Sequence, residues 1–198
     1  LLTLGNGICG FIAITFASKI TSTDPAANEA YFFWAGWCIV FGMFFDMLDG
    51  YVARLSKTAS DFGGELDSLC DVVTFGITPA FLLLKLGPTK DASEFFHMVL
   101  AGIAALYFSC TALRLARFNV ESGAGEEDHR EFKGLPSPAA AAVVCSLIAF
   151  FCTRNDADAE LGRALLQPQQ FDGIVCAMPP VLVVLGLLMV SRVPYPHA

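Results

Sequence analysis

Apolar and polar positions alternate along this chain in long blocks rather than with a surface-helix period. The first apolar block is residues 1–20, charged only at Lys19, and a polar loop at 21–29 containing Pro25 follows it. The second is uncharged over residues 30–45 and then continues, now carrying carboxylates, to about Leu55. The third runs from 64 to 86 and stops before Gly87 and Pro88. The fourth, 95–113, contains no Asp, Glu, Lys or Arg, and the fifth (136–153) and sixth (174–191) are likewise free of formal charge. Each block is roughly 18–25 residues, enough for a helix to cross about 30 Å of hydrocarbon. The pattern predicts an all-α polytopic membrane protein, a bundle of six transmembrane helices, with residues 1–198 forming a single domain. The opening block lacks a basic n-region and a small-residue cleavage site, so it reads as a mature span and not a signal peptide.

Composition sharpens this picture. Charged residues make up 16% of the 198, AVILMFWYC reach 55% and the mean hydropathy is +0.59. Soluble domains carry about 25% charge, and one this apolar would expose large sticky patches. The formal net charge of −7 leaves no basic surface, so nucleic acid is not an expected partner. Seven cysteines without a CxxC pair suit neither a disulfide framework nor a zinc site and read as small packing residues. The Ala run at 139–142 reads as a close helix-packing surface, and Tyr31, Trp34 and Trp37 as an interfacial aromatic belt.

Loop charges bear on orientation. Arg54, Lys57, Arg114, Arg117, Arg130, Lys133 and Arg192 fall on one side of the expected bundle; Lys19, Lys85, Lys90, Arg154 and Arg163 fall on the other. That bias places both termini, and the loops after the second and fourth spans, in the cytoplasm.

Against this apolar background, residues 44–76 concentrate the acids. Asp46 and Asp49 lie three apart at the end of the second span; Asp67 and Asp71 lie four apart at the start of the third. Those spacings put each pair on one helical face. The short connection at 56–62 makes the two helices antiparallel neighbours, so the pairs can face each other. Four close carboxylates repel one another and resist desolvation, and hard divalent cations relieve both penalties. Two such ions would suit phosphoryl chemistry, and without His or Cys in the group zinc is not expected. Gly50 leaves backbone open to a ligand, Arg54 offers a bidentate donor for phosphate, and Gly63 and Gly64 open the third helix, whose N-terminus favours an anion. Asp61 and Glu65 read as solvated surface acids.

The run Asp46-x2-Asp49-Gly50-x2-Ala53-Arg54-x8-Gly63-x3-Asp67-x3-Asp71 resembles the signature of the CDP-alcohol phosphotransferases at every fixed position. The six apolar blocks look like that family's six-helix membrane fold. The resemblance implies that Asp46, Asp49, Asp67 and Asp71 bind two divalent cations (Mg²⁺ or Mn²⁺), with Asp71 also the catalytic general base. It implies that Gly50, Ala53, Arg54 and Gly63 seat the CDP moiety, and that the chain forms a homodimer in the cell (inner) membrane with its site facing the cytoplasm.

The signature leaves the acceptor open, and three further stretches bear on it. Residues 2–6 with Gly10, residues 112–119, and Phe-Lys-Gly-Leu-Pro-Ser-Pro at 132–138 look like the phosphatidylserine synthase branch of the family. That likeness implies CDP-diacylglycerol and L-serine as substrates. Arg114 and Arg117 share a helix face on the side of the aspartates and can hold a phosphate or the serine carboxylate, Arg117 being the best single candidate; both also suit a positive-inside anchor. Lys133 and Ser137 are placed beside them as acceptor-site candidates. Asn6 is positioned to contact the nucleotide or to bond across helices. Glycerol 3-phosphate or inositol phosphate as acceptor, and a cation transporter with acids near the bilayer midplane, are the competing readings.

Overall fold

The computed structural model describes residues 2–20, 25–56, 61–85, 94–123, 134–157 and 170–191, and every regular element among them is helical. In chain order these are α1 (Leu2–Ser18), α2 (Pro25–Ser56), α3 (Asp61–Asp71), a π-helical segment (Val72–Ile77), α4 (Thr78–Lys85), α5 (Glu94–Gly123), α6 (Ser137–Ala157) and α7 (Gln170–Val190). The π segment joins α3 and α4 into one rod. Ala30–Val52, Phe62–Lys85 and Glu94–Val120 are long and apolar enough to cross a membrane, while Leu2–Ser18, Ser137–Ala149 and Ala177–Val190 are shorter apolar helices. This is a helical membrane protein.

Several helices outrun the apolar blocks that announce them. α5 continues to Gly123, well past Leu113, because the polar stretch that follows contains no helix breaker before Gly123. The third rod starts at Asp61, so Gly63 and Gly64 lie in its first turn and do not mark its start. Hydropathy reports where lipid ends, and a helix stops only where its backbone chemistry changes.

α1 packs closely on α2 and on the third rod because small residues line the contact. A Cβ added at Gly10 would lie 2.5 Å from Thr74 Oγ1 and 2.9 Å from its Cα; one at Gly42 would lie 2.6 Å from Thr74 Cγ2. In lipid, where apolar contact with a helix gains little over contact with acyl chains, close backbone approach is a main source of association. Thr74 Oγ1 then donates to Asn6 O (3.0 Å) and Thr78 Oγ1 to Gly10 O (3.3 Å), joining the third rod to the α1 backbone. On the far side, Ala140, Ala141, Val144 and Ile148 of α6 are buried, and Cys145 Sγ donates to Gly36 O of α2 (3.6 Å). The alanine run is thus a packing surface. Cys9, Cys38, Cys70, Cys110 and Cys145 are free thiols. Trp34 and Trp37 are exposed and stand edge-on to Phe33, as a lipid-facing aromatic cluster requires.

The π segment is the one element the hydropathy pattern does not announce. Its backbone is satisfied from both sides: the Thr78 N–H donates to Val73 O, and Tyr107 of α5 donates its hydroxyl to Phe75 O (3.1 Å). Gly10→Ala should lower the unfolding temperature in detergent by the equivalent of about 1–3 kcal/mol, the usual cost of overpacking. Gly102→Ala, where a Cβ meets nothing within 4 Å, is the matched control and should unfold like wild type.

Candidate active site

One carboxylate oxygen from each of Asp46, Asp67 and Asp71 lies within 4.8 Å of the others. α2 supplies the first and α3 the other two, which lie four apart on one face; Asp49, three residues after Asp46, is not in this group. The cluster lies deeper than the helix ends: Asp46 precedes the end of α2 at Ser56 by ten residues, and Asp67 follows the start of α3 at Asp61 by six. At 1.5 Å per residue, this sets the acids back from those helix ends by roughly 9–15 Å.

α1 holds two of the four predicted aspartates from behind. Asn6 is fully buried and its Nδ2 donates to Asp71 Oδ1 (2.8 Å). Thr3, one turn earlier, donates its hydroxyl to Asp49 Oδ2. Asp49 therefore stands beside the three-oxygen group, engaged by α1. Asn6, expected either at the nucleotide or in a cross-helix bond, makes the cross-helix bond. Thr3 is invisible to sequence reasoning because a lone threonine in an apolar helix ordinarily bonds back to its own backbone.

Asp67 Oδ1 is buried with no hydrogen-bond partner among the described residues. An unsatisfied carboxylate oxygen is costly, about 1–3 kcal/mol or more for a charged group. Three converging carboxylates, one of them with an orphaned oxygen, fit a hard divalent cation, whose preferred ligands are carboxylates. The residues present suit the group.

On the opposite wall α5 presents Arg114, half-buried and within electrostatic reach of Asp71 and Asp46. Its Nη1 donates to Ser137 Oγ (2.7 Å), so two of the acceptor-site candidates meet directly. Arg117 lies three residues further along α5, also half-buried. Beyond it Asn119 accepts from Ser68 Oγ (3.0 Å) and approaches Glu65 Oε2 (3.5 Å), tying α5 to α3 one residue past Asp67. Asn119 is a second contributor that the sequence leaves unmarked, and Glu65, exposed as expected, meets it at the rim.

Gly50 is exposed, and a Cβ there, as at Gly64, would meet nothing within 4 Å. Packing inside the chain does not demand glycine at either position. Gly63 is half-buried in the first turn of α3. Ala53 and Arg54 belong to α2, but their side chains lie outside the described residues, as does Lys133 altogether.

An all-helical membrane fold in which one buried and two half-buried carboxylates converge, faced by an arginine, defines a membrane-embedded candidate site for a divalent cation. The sequence profile described as CDP-alcohol phosphatidyltransferase matches residues 1–190, and the chain belongs to that family. It is 39% identical over 159 residues to the CDP-diacylglycerol–serine O-phosphatidyltransferase of Methanocaldococcus jannaschii, covering 80% of this chain and 61% of that protein. It is similar to the Saccharomyces cerevisiae protein of the same name, 37% over 165 residues, covering 78% of this chain and 53% of the yeast protein. The Bacillus subtilis protein of that name is 31% identical over 204 residues, with 100% of this chain and 88% of the relative covered. The chain thus spans a little over half the length of the first two.

The cluster gives a direct prediction. In a Mn²⁺ titration followed by electron paramagnetic resonance, Asp67→Asn should weaken binding by tenfold or more, because a charged ligand becomes neutral. Equal affinity in wild type and variant would remove Asp67 from the ligand set.

Proposed function

We propose that this chain carries the catalytic core of an integral-membrane transferase that moves the phosphatidyl group of CDP-diacylglycerol to the hydroxyl of L-serine, giving phosphatidylserine and CMP. The observation that carries this reading is the convergence of Asp46, Asp67 and Asp71 on one point, with a buried Asp67 oxygen left unsatisfied, in a member of this family. The printed names of its relatives supply the lipid nucleotide and serine. The three long and three shorter apolar helices support six transmembrane spans in one domain over residues 1–198. The bias of loop charge supports a cytoplasmic site in the cell (inner) membrane, and a second copy of the chain as partner belongs to the same proposal.

Asp46, Asp49, Asp67 and Asp71 would hold two divalent cations, Mg²⁺ or Mn²⁺, which when bound neutralise the diphosphate and the charge that grows on departing CMP. Asp71 takes the proton of the serine hydroxyl as the hydroxyl oxygen bonds to the phosphorus bearing diacylglycerol. The bond from that phosphorus to the bridging oxygen breaks, and CMP leaves with the electron pair. The amide of Asn6 holds the Asp71 carboxylate in place for this transfer. Gly50, Ala53, Arg54 and Gly63 seat the CDP moiety, and the open space over Gly50 supports close approach there. Arg114, Arg117, Lys133 and Ser137 form the acceptor side, with Arg117 clamping the serine carboxylate through two parallel hydrogen bonds.

The deciding experiment is an acceptor screen: purified protein, labelled CDP-diacylglycerol and Mn²⁺, with L-serine, glycerol 3-phosphate or inositol phosphate. CMP release with serine, lost on adding excess chelator, is the expected result. Turnover only with another acceptor would overturn the serine assignment, and turnover in chelator would overturn the role of the cations. Asp71→Asn should lower kcat by roughly 10²–10⁴-fold while changing the KM for CDP-diacylglycerol little. Arg117→Lys should raise the serine KM about tenfold, the loss of one charge-assisted bond.

A further inference from the structure

The segment between α5 and α6 is fastened at its far end to the last helix. Gly134 has φ = +90° and is buried, and a Cβ there would collide with Met189 O and sit 3.1 Å from Ser191 O. Only glycine allows the chain both this left-handed turn and this approach to the end of α7. The next residue completes the clasp, Leu135 N donating to Leu188 O (3.2 Å). Leu188 O, one of the last four carbonyls of α7, thus accepts from both Leu135 N and the Ser191 hydroxyl. Two residues later Ser137 opens α6, fully buried, and its hydroxyl accepts the Arg114 guanidinium at 2.7 Å. On α5, one turn before Arg114, Thr111 donates to Tyr107 O (3.0 Å) and reaches Met189 Sδ (3.7 Å), so the same end of α7 also touches the helix that carries the arginine.

We propose that Ser137 is a positioning residue, not a substrate contact: clasped to α7 through Gly134 and Leu135, it fixes the rotamer of Arg114 so that the guanidinium faces the aspartate cluster. A long arginine side chain has much rotamer freedom to lose, and a buried acceptor set at one point removes that freedom before substrate arrives. The serine hydroxyl is spent on this task. Its lone pairs face a cation, and complete burial keeps it from the acceptor. The inference rests on the placement of Arg114 at the acceptor side.

The test is a double-mutant cycle on the full-length chain in nanodiscs, with Michaelis constants for serine and for CDP-diacylglycerol measured separately and folding checked by thermal unfolding. Arg114→Ala and Ser137→Ala are each expected to raise the serine KM, by about tenfold and about three- to tenfold, and the double variant to be no worse than Arg114→Ala alone. Ser137→Thr, which keeps the hydroxyl, should return the serine KM to within about twofold of wild type. If Ser137→Ala unfolds early, Ser137→Cys, with a weaker acceptor of similar size, takes its place in the cycle. Effects that multiply in the double variant, or a Ser137→Ala protein with an unchanged serine KM beside a raised one in Arg114→Ala, would overturn the positioning role. If both single variants raise only the KM for CDP-diacylglycerol, and do so non-additively, the positioning stands and it is the acceptor-side reading of Arg114 that falls.

Discussion

Three carboxylates brought within 4.8 Å of one another, one buried and two half-buried, constrain everything else in this molecule. At an effective dielectric of 20, each like-charged pair at that separation costs about 3–4 kcal/mol. Left to themselves α2 and α3 would splay or rotate to part them. They are held by contacts that do not touch the charges' own helices alone. α1 wedges against both, Thr3 on Asp49 and Asn6 on Asp71, and is itself locked to the third rod by Thr74 and Thr78. Small residues at positions 10 and 42 permit the approach that makes these bonds short enough to form. The acid cluster is stable as geometry because α1 was shaped to it.

The π segment belongs to the same constraint. It begins at the residue after Asp71, and such segments inside α-helices frequently sit at functional sites. Within the rod Val73 O accepts both the backbone N–H and the hydroxyl of Thr78, and Phe75 O accepts the hydroxyl of Tyr107 from α5. The third rod is thereby pinned to α1 on one side and α5 on the other just below its acidic end. Phe75 O is open to Tyr107 because the residue four positions on is Pro79, which has no N–H to give it, and this bond ties the wall carrying Arg114 to the rod carrying Asp71.

Much of this was legible in the sequence, for stated reasons. Apolar blocks located the membrane helices, because lipid tolerates few charges. A spacing of four put Asp67 and Asp71 on one face of α3, because helix geometry leaves no other option. Features that depend on where two helices touch were not legible. Thr3 and Asn119 look like ordinary polar residues until their partners, 46 and 51 positions away, are known. Gly134 looks like a loop glycine until the end of α7 is brought against it. The depth of the cluster below the helix ends was missed because hydropathy says nothing of how far a polar helix continues.

The two walls of the site are built by different parts of the chain, and this has a chemical consequence. The wall of aspartates is carried by α1 to α3, through bonds that involve no residue beyond Thr78. The wall of Arg114 is carried by α5, α6 and the end of α7. Among the described residues, Tyr107 to Phe75 and Asn119 to Ser68 and Glu65 join them near the site. A substitution on the second wall can therefore change what faces the acid cluster without moving the carboxylates. One half of the fold is fixed by the repulsion it must contain, and it is the other half that is free to vary what it presents to that cluster.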